Sequence, residues 1–544
     1  MDHLSGLDAT FLYMETPETP MHVGGLNIYE LPAGYEGDFL ENLREHIAKR
    51  MHLAPVFRRK LVNMPFELAN PIWVADDDLD LEYHIRSTVL PKPGTRAQLD
   101  KLVGRLHSSL LDRSRPLWEF YVIEGLETPA DAPHGTRHVA FYSKVHHSAL
   151  DGAAGVALAT AIMDVTAIPR HVRPAPQRRA LSADNFGIAE LAASGIKNTA
   201  VQTLKLAKTL PTLLRTVAQL IRPTPTGGDD KDAVDVALAH HAVKEKSGWF
   251  APKTPINVIF TNQRIFSSFS LPLAELKHVA KGNGATLNDV VMAICSGALR
   301  HYLADSNCLP EQPLLAGVPI SLREEGNTDM NTQASMMRIS LASHIADPLA
   351  RLQAIRTASS AAKAMTMSMK SVMPMDFPSL GVPWLLSGAF ALFGRSKLAN
   401  NLPPIANVAI SNVPGPKVAL YMAGAKMLTY YPVSIVMHSL GLNVTVQSYN
   451  GSLDWGLIAC RKAMPDLPEL AKYMMAAHRE LMKLTAADVA GAVEKVATVE
   501  EVAASVVEKK TLLAPLTPKE PPATVKRAPA AKRIRHAKRV KKAT

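Results

Sequence analysis

Residues Val139-Ala-Phe-Tyr-Ser-Lys-Val145 are rich in aromatic and β-branched side chains, which is the composition of a strand. Residues Gly152-Ala-Ala-Gly-Val-Ala-Leu-Ala-Thr-Ala-Ile-Met163 are small and apolar, which predicts a buried helix. Between them the chain reads His146-His147-Ser-Ala-Leu-Asp151, so two imidazoles stand where a strand ends and a helix begins. Such a junction is a rigid mount for a reactive group. One imidazole there is suited to general-base work. The Asp151 carboxylate is suited to bracing the turn, and Gly152 to close helix approach or an unusual backbone angle. A second pair, His240-His241, lacks the acid–glycine step and lies in a charged stretch, so it reads as a solvated helix surface.

The 544 residues suffice for two or three domains, and 47% hydrophobic content gives each a core. Cys295, Cys308 and Cys460 are odd in number and far apart. Neither a disulfide framework nor a metal spacing follows, so no metal is expected and a reducing cytoplasm fits. The start, Met1-Asp-His-Leu-Ser-Gly-Leu-Asp8, shows no basic region followed by an apolar core. No apolar run reaches the roughly 18 residues that span a bilayer. Val382–Phe393 comes nearest and ends at Gly394-Arg395. Membrane contact is therefore expected to be peripheral. The net charge of +11 is concentrated in the end of the chain: from Pro521 onward there are Lys526, Arg527, Lys532, Arg533, Arg535, Lys538, Arg539, Lys541 and Lys542, and no acid.

Four segments follow. Residues 1–180 read as an α/β unit, with helices at Arg44–Arg50 and Leu99–Leu111, extended chain at Tyr83–Val89, a strand at Pro116–Ile123, and then the histidine strand. Residues 181–255 form a helical connector. Residues 256–485 alternate strands and helices again. Residues 486–544 are a helical extension and a Pro/Ala/Lys/Arg tail whose composition predicts disorder. In the connector, Lys197, Lys205, Lys208, Arg215 and Arg222 share an arc of roughly 100° on a helical projection. Leu206, Leu210, Leu213, Val217, Leu220 and Ile221 lie opposite, and Pro211 predicts a kink. Over 191–222 this is a basic amphipathic helix suited to an anionic membrane or lipid-droplet surface. A helix packed on the protein with its lysines in water has the same pattern. The tail is a polycation that fits membrane and nucleic acid equally.

The pattern His-His-x-x-x-Asp-Gly at 146–152 resembles the signature of the CoA-dependent acyltransferase superfamily, which includes chloramphenicol acetyltransferase and peptide-synthetase condensation domains. Further segments resemble one branch, the bacterial wax ester synthase/diacylglycerol acyltransferases. These are Leu4–Tyr13 with Thr19–Gly25, Pro116-Leu117-Trp118, Thr286-Leu-Asn288-Asp289-Val290, Val318-Pro-Ile-Ser-Leu-Arg323, Asn412-Val-Pro-Gly415-Pro416 and Ser448–Gly456. They occur in the family's order over about residues 1–485. Met330-Asn331 departs from the usual Gly-Asn pair, and the basic tail has no counterpart in the family core.

The resemblance implies two chloramphenicol-acetyltransferase-like α/β lobes with mixed sheets flanked by helices. It implies transfer of a fatty acyl group from acyl-CoA, a co-substrate rather than a cofactor, to diacylglycerol or a long-chain alcohol. It makes His147 the general base, His146 an orienting neighbour, and Asp151 a structural brace paired with an arginine, here Arg323. An acyl-CoA thioester is already activated, so the demanding step is deprotonating the alcohol, and an imidazole with an ordinary pKa of about 6.5 suits it. No covalent acyl-enzyme is required. A tetrahedral intermediate needs oxyanion donors. Asn288, Asp289, Ser411, Asn412 and Gly415 are the candidates for that or for substrate positioning. The plainer structural readings are a helix cap for Asn288, a turn for Pro414-Gly-Pro416 and the core for Trp118. The resemblance also implies attachment to the inner membrane face or lipid inclusions. Two alternatives share parts of these features: a condensation-type or polyketide-associated acyltransferase fed by a carrier protein, and a lipid-surface or nucleic-acid scaffold. Oligomeric state and chain-length preference leave no trace in the sequence.

Overall fold

The structure, a computed structural model, describes residues 2–64, 69–150, 152–174, 250–321, 334–369 and 403–486. Asp151, Arg323, the 191–222 stretch and the tail lie outside the described residues. The strands are β1 (Asp2–His3), β2 (His22–Leu31), β3 (Arg59–Val62), β4 (Ile72–Ala75), β5 (Ile85–Val89), β6 (Trp118–Glu124), β7 (Arg137–His146), β8 (Arg264–Pro272), β9 (Leu315–Ser321), β10 (Ala334–Ser340), β11 (Val408–Val413), β12 (Tyr421–Met422), β13 (Ala425–Val433), β14 (Leu442–Tyr449) and β15 (Ser452–Cys460). The helices are α1 (Gly6–Met14), α2 (Phe39–Ala48), α3 (Leu81–His84), α4 (Arg96–His107), α5 (Gly152–Ile162), α6 (Leu273–Gly282), α7 (Leu287–Asp305), α8 (Pro348–Met369) and α9 (467–486).

Alternation along β7 explains the layering. Val139, Phe141 and Val145 point into one cluster with Tyr29, Phe39, Leu43, Ile47, Leu158 and Ile162. Ala140 and Tyr142 point into another with Leu99, Val103, Phe266 and Ile458. A strand buried on both faces needs cover on both. Helices α2 and α5 supply it on one side, and α4 with β8 and β15 on the other. Asp38 caps α2, accepting the Leu40 N–H at 2.6 Å, and Phe39, Leu43 and Ile47 line its buried face. Thr95 and Gln98 form a capping box at α4, which buries Leu99, Leu102 and Val103.

The first six-stranded sheet has the order β12-β13-β2-β7-β6-β5, antiparallel except for β5–β6. The second has the order β10-β9-β11-β14-β15-β8, with β11 parallel to both its neighbours. Both are mixed sheets in an α/β fold, as expected. The extended chain expected from Tyr83 begins only at Ile85, because Asp80 caps the short α3 through the Glu82 and Tyr83 N–H groups at 2.9 and 3.1 Å.

The crossing of β12 and β13 could not be read locally. They follow β11 of the second sheet yet complete the first, β13 pairing with β2. There β13 lies against β15: the Tyr430 N–H donates to Asp454 Oδ2 at 2.6 Å, and Ser270 Oγ donates to Asp454 Oδ1 at 2.7 Å. Helix α4 adds a second clamp. Arg96 Nη2 donates to Ser268 Oγ at 2.6 Å, and Ser268 donates through N and Oγ to Asp100 at 3.1 and 2.7 Å. At Gly456 of β15 the backbones approach so closely that a Cβ would lie 1.7 Å from the Pro432 carbonyl oxygen. Gly456→Ala is therefore expected to cost about 1–3 kcal/mol, the range for overpacking, seen as a lower denaturant midpoint; an unchanged midpoint would mean that β13 and β15 separate freely.

Candidate active site

The site starts from the ladder of β2 and β7, whose last register pair is His22↔His146. The His146 N–H donates to the Leu117 carbonyl at 2.9 Å, and the His147 N–H to the Met21 carbonyl at 2.9 Å. The chain then makes a 3-10 turn, His147–Ala149, and enters α5 at Gly152. Both histidines are thus fixed by backbone bonds before their side chains act.

Their side chains have opposite surroundings. His146 is buried, with Nδ1 2.6 Å from Ser148 Oγ and 3.1 Å from the Ser148 N–H. Its Nε2 lies 3.2 Å from Glu15 Oε2, off the line of an ideal hydrogen bond. His147 is half-buried and stacks on Phe11 of α1, with centroids 3.9 Å apart and planes within 14°. Its Nδ1 is buried without a hydrogen-bond partner, and among the described residues its Nε2 makes no hydrogen bond either. Burial pushes the His147 pKa down to about 4, opposed by its own carbonyl and helped by His146. The ring is therefore neutral near pH 7, with a lone pair to offer.

Glu15 was not singled out by sequence reasoning. It stands 131 residues from His146, and nothing nearby distinguishes it from Glu18. Its Oε1 accepts from Arg113 Nη2 at 2.8 Å and Nε at 3.1 Å. Its Oε2 accepts the Met21 N–H at 3.0 Å. Burial raises its pKa, but His146, Arg113 and Met21 more than offset this and hold it at about 2.

Two buried networks lie behind the histidines. Lys144 is fully buried and meets Glu119 at 2.9 Å and the Ser109 carbonyl at 3.2 Å. His22 Nε2 donates to the His107 carbonyl at 2.8 Å; the His107 ring meets Tyr142 Oη at 2.7 Å and the Ser434 carbonyl at 3.0 Å. Ser434 Oγ accepts from Asn443 Nδ2 at 3.2 Å, and Thr445 Oγ1 donates to Asn443 Oδ1 at 2.8 Å. Thr445 is the register partner of Ser411. A polar path thus runs from the histidine strand to β11. Burial, with Arg264 and Lys144 nearby, lowers the His107 pKa to about 3.

The other expected site residues divide. Trp118 N–H donates to the Pro116 carbonyl at 2.8 Å; Leu117 and Trp118 are buried, and Trp118 Nε1 donates to the Phe57 carbonyl at 3.2 Å. That motif supports the strand. Asn288 is not a helix cap: Thr286 caps α7, with Asp289 closing the capping box and keeping its Oδ1 buried and unpaired. Asn288, in the first turn, is half-buried, and its side chain has no hydrogen bond among the described residues. Ser411 and Asn412 sit half-buried on β11, also without side-chain hydrogen bonds there. Gly415 is a correction to the candidate donors: its N–H is committed to Ser448 Oγ at 3.0 Å, and a Cβ would lie 2.1 Å from the Ser448 carbonyl oxygen. No hydrogen bond joins His147 to Asn288, Ser411 or Asn412. Cavities of about 360 and 580 Å³ open away from the histidines, beside Arg96 and His138 and between α2 and Arg170.

Two mixed six-stranded sheets, one of whose strands ends at His146, go with family matches that place the chain in the CoA-dependent acyltransferase superfamily. Residues 4–291 match the wax ester synthase/diacylglycerol acyltransferase catalytic domain, and residues 331–482 the WS/DGAT C-terminal domain. The O-acyltransferase WSD of Acinetobacter baylyi is 32% identical over 482 residues, 87% of this chain and 95% of that one. A probable diacylglycerol O-acyltransferase of Mycobacterium tuberculosis, tgs2, is 33% identical over 491 residues, 88% and 99% of the two chains. The solved wax ester synthase/diacylglycerol acyltransferase of Marinobacter aquaeolei VT8 superposes with a TM-score of 0.62 at 31% identity, covering 89% of this chain and all of that one. The chain belongs to the WS/DGAT family of O-acyltransferases.

The depressed histidines set an acid limit on stability. Unfolded imidazoles bind protons below about pH 6.5, whereas folded His147 and His107 wait until about 4 and about 3. Between those values the unfolded state holds more protons, so stability falls as pH falls, by up to about 1.4 kcal/mol per pH unit for each group. Glu15, held near 2 when folded, acts in the same direction below its ordinary 4.5. Melting temperatures should decline steadily from pH 6.5 to 4.5; a flat profile would contradict the burial of these rings.

Proposed function

We propose that this chain transfers a fatty acyl group from acyl-CoA to the hydroxyl of diacylglycerol or a long-chain alcohol, giving triacylglycerol or wax ester and free CoA. The observation that carries the reading is the His147 ring, held neutral by burial, stacked on Phe11, and with an Nε2 that no described residue occupies. A ring held in that way can accept the alcohol proton without first losing one of its own. The names of the Mycobacterium tuberculosis and Marinobacter aquaeolei relatives, a diacylglycerol O-acyltransferase and a wax ester synthase/diacylglycerol acyltransferase, support the two acceptors.

The steps follow from the groups present. His147 Nε2 takes the hydroxyl proton as the alcohol oxygen attacks the thioester carbonyl carbon. The new C–O bond puts negative charge on the former carbonyl oxygen. Asn288, Ser411 and Asn412 are the candidate donors for it, since their side chains are half-buried and uncommitted among the described residues. Collapse breaks the C–S bond, and the thiolate recovers the proton from the His147 imidazolium. Burial that disfavours the imidazolium also makes it a strong acid for this last transfer. Asp151, paired with Arg323, would brace the loop, and the basic amphipathic pattern over 191–222 would bring the enzyme to an anionic lipid surface on the cytoplasmic side.

Purified protein given palmitoyl-CoA with dioleoylglycerol or hexadecanol should form the corresponding neutral lipid. His147→Ala should lower kcat by about 10²–10⁴-fold without moving the melting temperature by more than a few degrees; wild-type turnover in this variant would refute the assignment. The base must be unprotonated, and its pKa is lowered to about 4. The acid limb of kcat/KM should therefore lie near 4, and a limb at 6.5 or above would show an ordinary solvated imidazole.

A further inference from the structure

We infer that Glu15 is the positioning residue of this site, fixing the proton of His146 and the backbone of His147 at once. This rests on His147 being the base. Three contacts carry it, and all converge on one buried carboxylate.

The first concerns the His146 ring. Its Nδ1 lies 3.1 Å from the Ser148 backbone N–H, which can only donate. Nδ1 must then present a lone pair, and an imidazolium would set N–H against N–H. A neutral His146 therefore carries its hydrogen on Nε2, the nitrogen that faces Glu15 Oε2 at 3.2 Å. Glu15 Oε2 is the charged group set against that hydrogen, at ion-pair distance though off the line of a hydrogen bond. Its side chain and that of His146 are 2% and 1% exposed, so water does not substitute.

The second contact reaches His147 through the main chain. A tight turn at Thr16–Thr19, with the Thr19 N–H donating to the Thr16 carbonyl at 3.0 Å, folds Met21 back beside Glu15. Glu15 Oε2 accepts the Met21 N–H at 3.0 Å, and the Met21 carbonyl accepts the His147 N–H at 2.9 Å. The carboxylate thus holds the residue whose peptide group anchors His147. The third contact is Arg113, whose two bonds to Oε1 keep Glu15 charged and in place. Such a carboxylate behind a functional histidine is a recurrent way to fix ring orientation and tautomer. Here one group serves two adjacent residues by two routes.

Glu15→Gln keeps an oxygen for Met21 but removes the charge; Glu15→Asp keeps the charge on a shorter stem. In the full-length enzyme, Glu15→Gln should lower kcat about 10–100-fold with KM for palmitoyl-CoA and for the alcohol unchanged within about twofold, and Glu15→Asp should recover part of the loss. Histidine ¹⁵N spectra of the wild type should show His146 with a protonated Nε2 and a pyridine-like Nδ1. A proton on Nδ1, or on both nitrogens, overturns the proposal whether or not the variants fold. So does Glu15→Gln with wild-type kcat while His147→Ala is inactive, a result that leaves His147 as the base. Parallel loss of kcat, KM and melting temperature, with no recovery in Glu15→Asp, reduces Glu15 to a structural role and also overturns it. Wild-type activity in His147→Ala removes the base assignment instead.

Discussion

The ladder between β2 and β7 is the interaction on which the site depends. It runs from Leu31↔Arg137 to His22↔His146, and a slip of one residue would turn every side chain of β7 to the wrong face. Two facts pin the register. Both faces of β7 are buried in separate clusters, so neither tolerates exchange. At Gly24 the strands approach so closely that a Cβ would lie 1.9 Å from the Ser143 carbonyl oxygen. Because the ladder ends at His146, and Met21 just before β2 takes the His147 N–H, one strand pair sets both imidazoles.

Burial then decides what each imidazole is. His107 is enclosed with both ring nitrogens bonded, His22 is held through Nε2 alone, and His146 faces Glu15. His147 has a stacked face, an unpaired Nδ1 and no partner for Nε2 among the described residues. The charges around them are paired: Lys144 with Glu119, and Glu15 with Arg113. Breaking a buried pair leaves an uncompensated charge at a cost of about 3–5 kcal/mol. The polar surroundings of the site are therefore as constrained as its hydrophobic frame.

Local pattern carried much of the fold. The strand before the histidines, the apolar helix after them, the α4 helix and the Pro-Leu-Trp strand were legible because each has a period or composition of its own. The Pro-Leu-Trp motif was recognisable, and the core reading of Trp118 was the one the structure supports. What escaped were contacts between residues distant in sequence. Strand β13 reads like any half-buried strand, and no residue in it says that its partner is β2 rather than a neighbour in the second sheet. Glu15 reads as one acid among several until the Thr16–Thr19 turn and β7 bring Met21 and His146 to it. At Asn288 the competing signal was simpler: Thr286 and Asp289 have the spacing of a capping box, and they take the cap.

The central claim is direct transfer, with a neutral imidazole drawing the alcohol proton while the thioester is attacked. A rapid-quench single turnover with acyl-labelled palmitoyl-CoA and enzyme in excess tests it most directly. The expected result is label passing from CoA to the neutral lipid in one step, with none on the protein at any time and no release from CoA until the alcohol is added. Label appearing on the protein and then chasing into ester would contradict it, because a covalent acyl-enzyme needs a nucleophile and not a base.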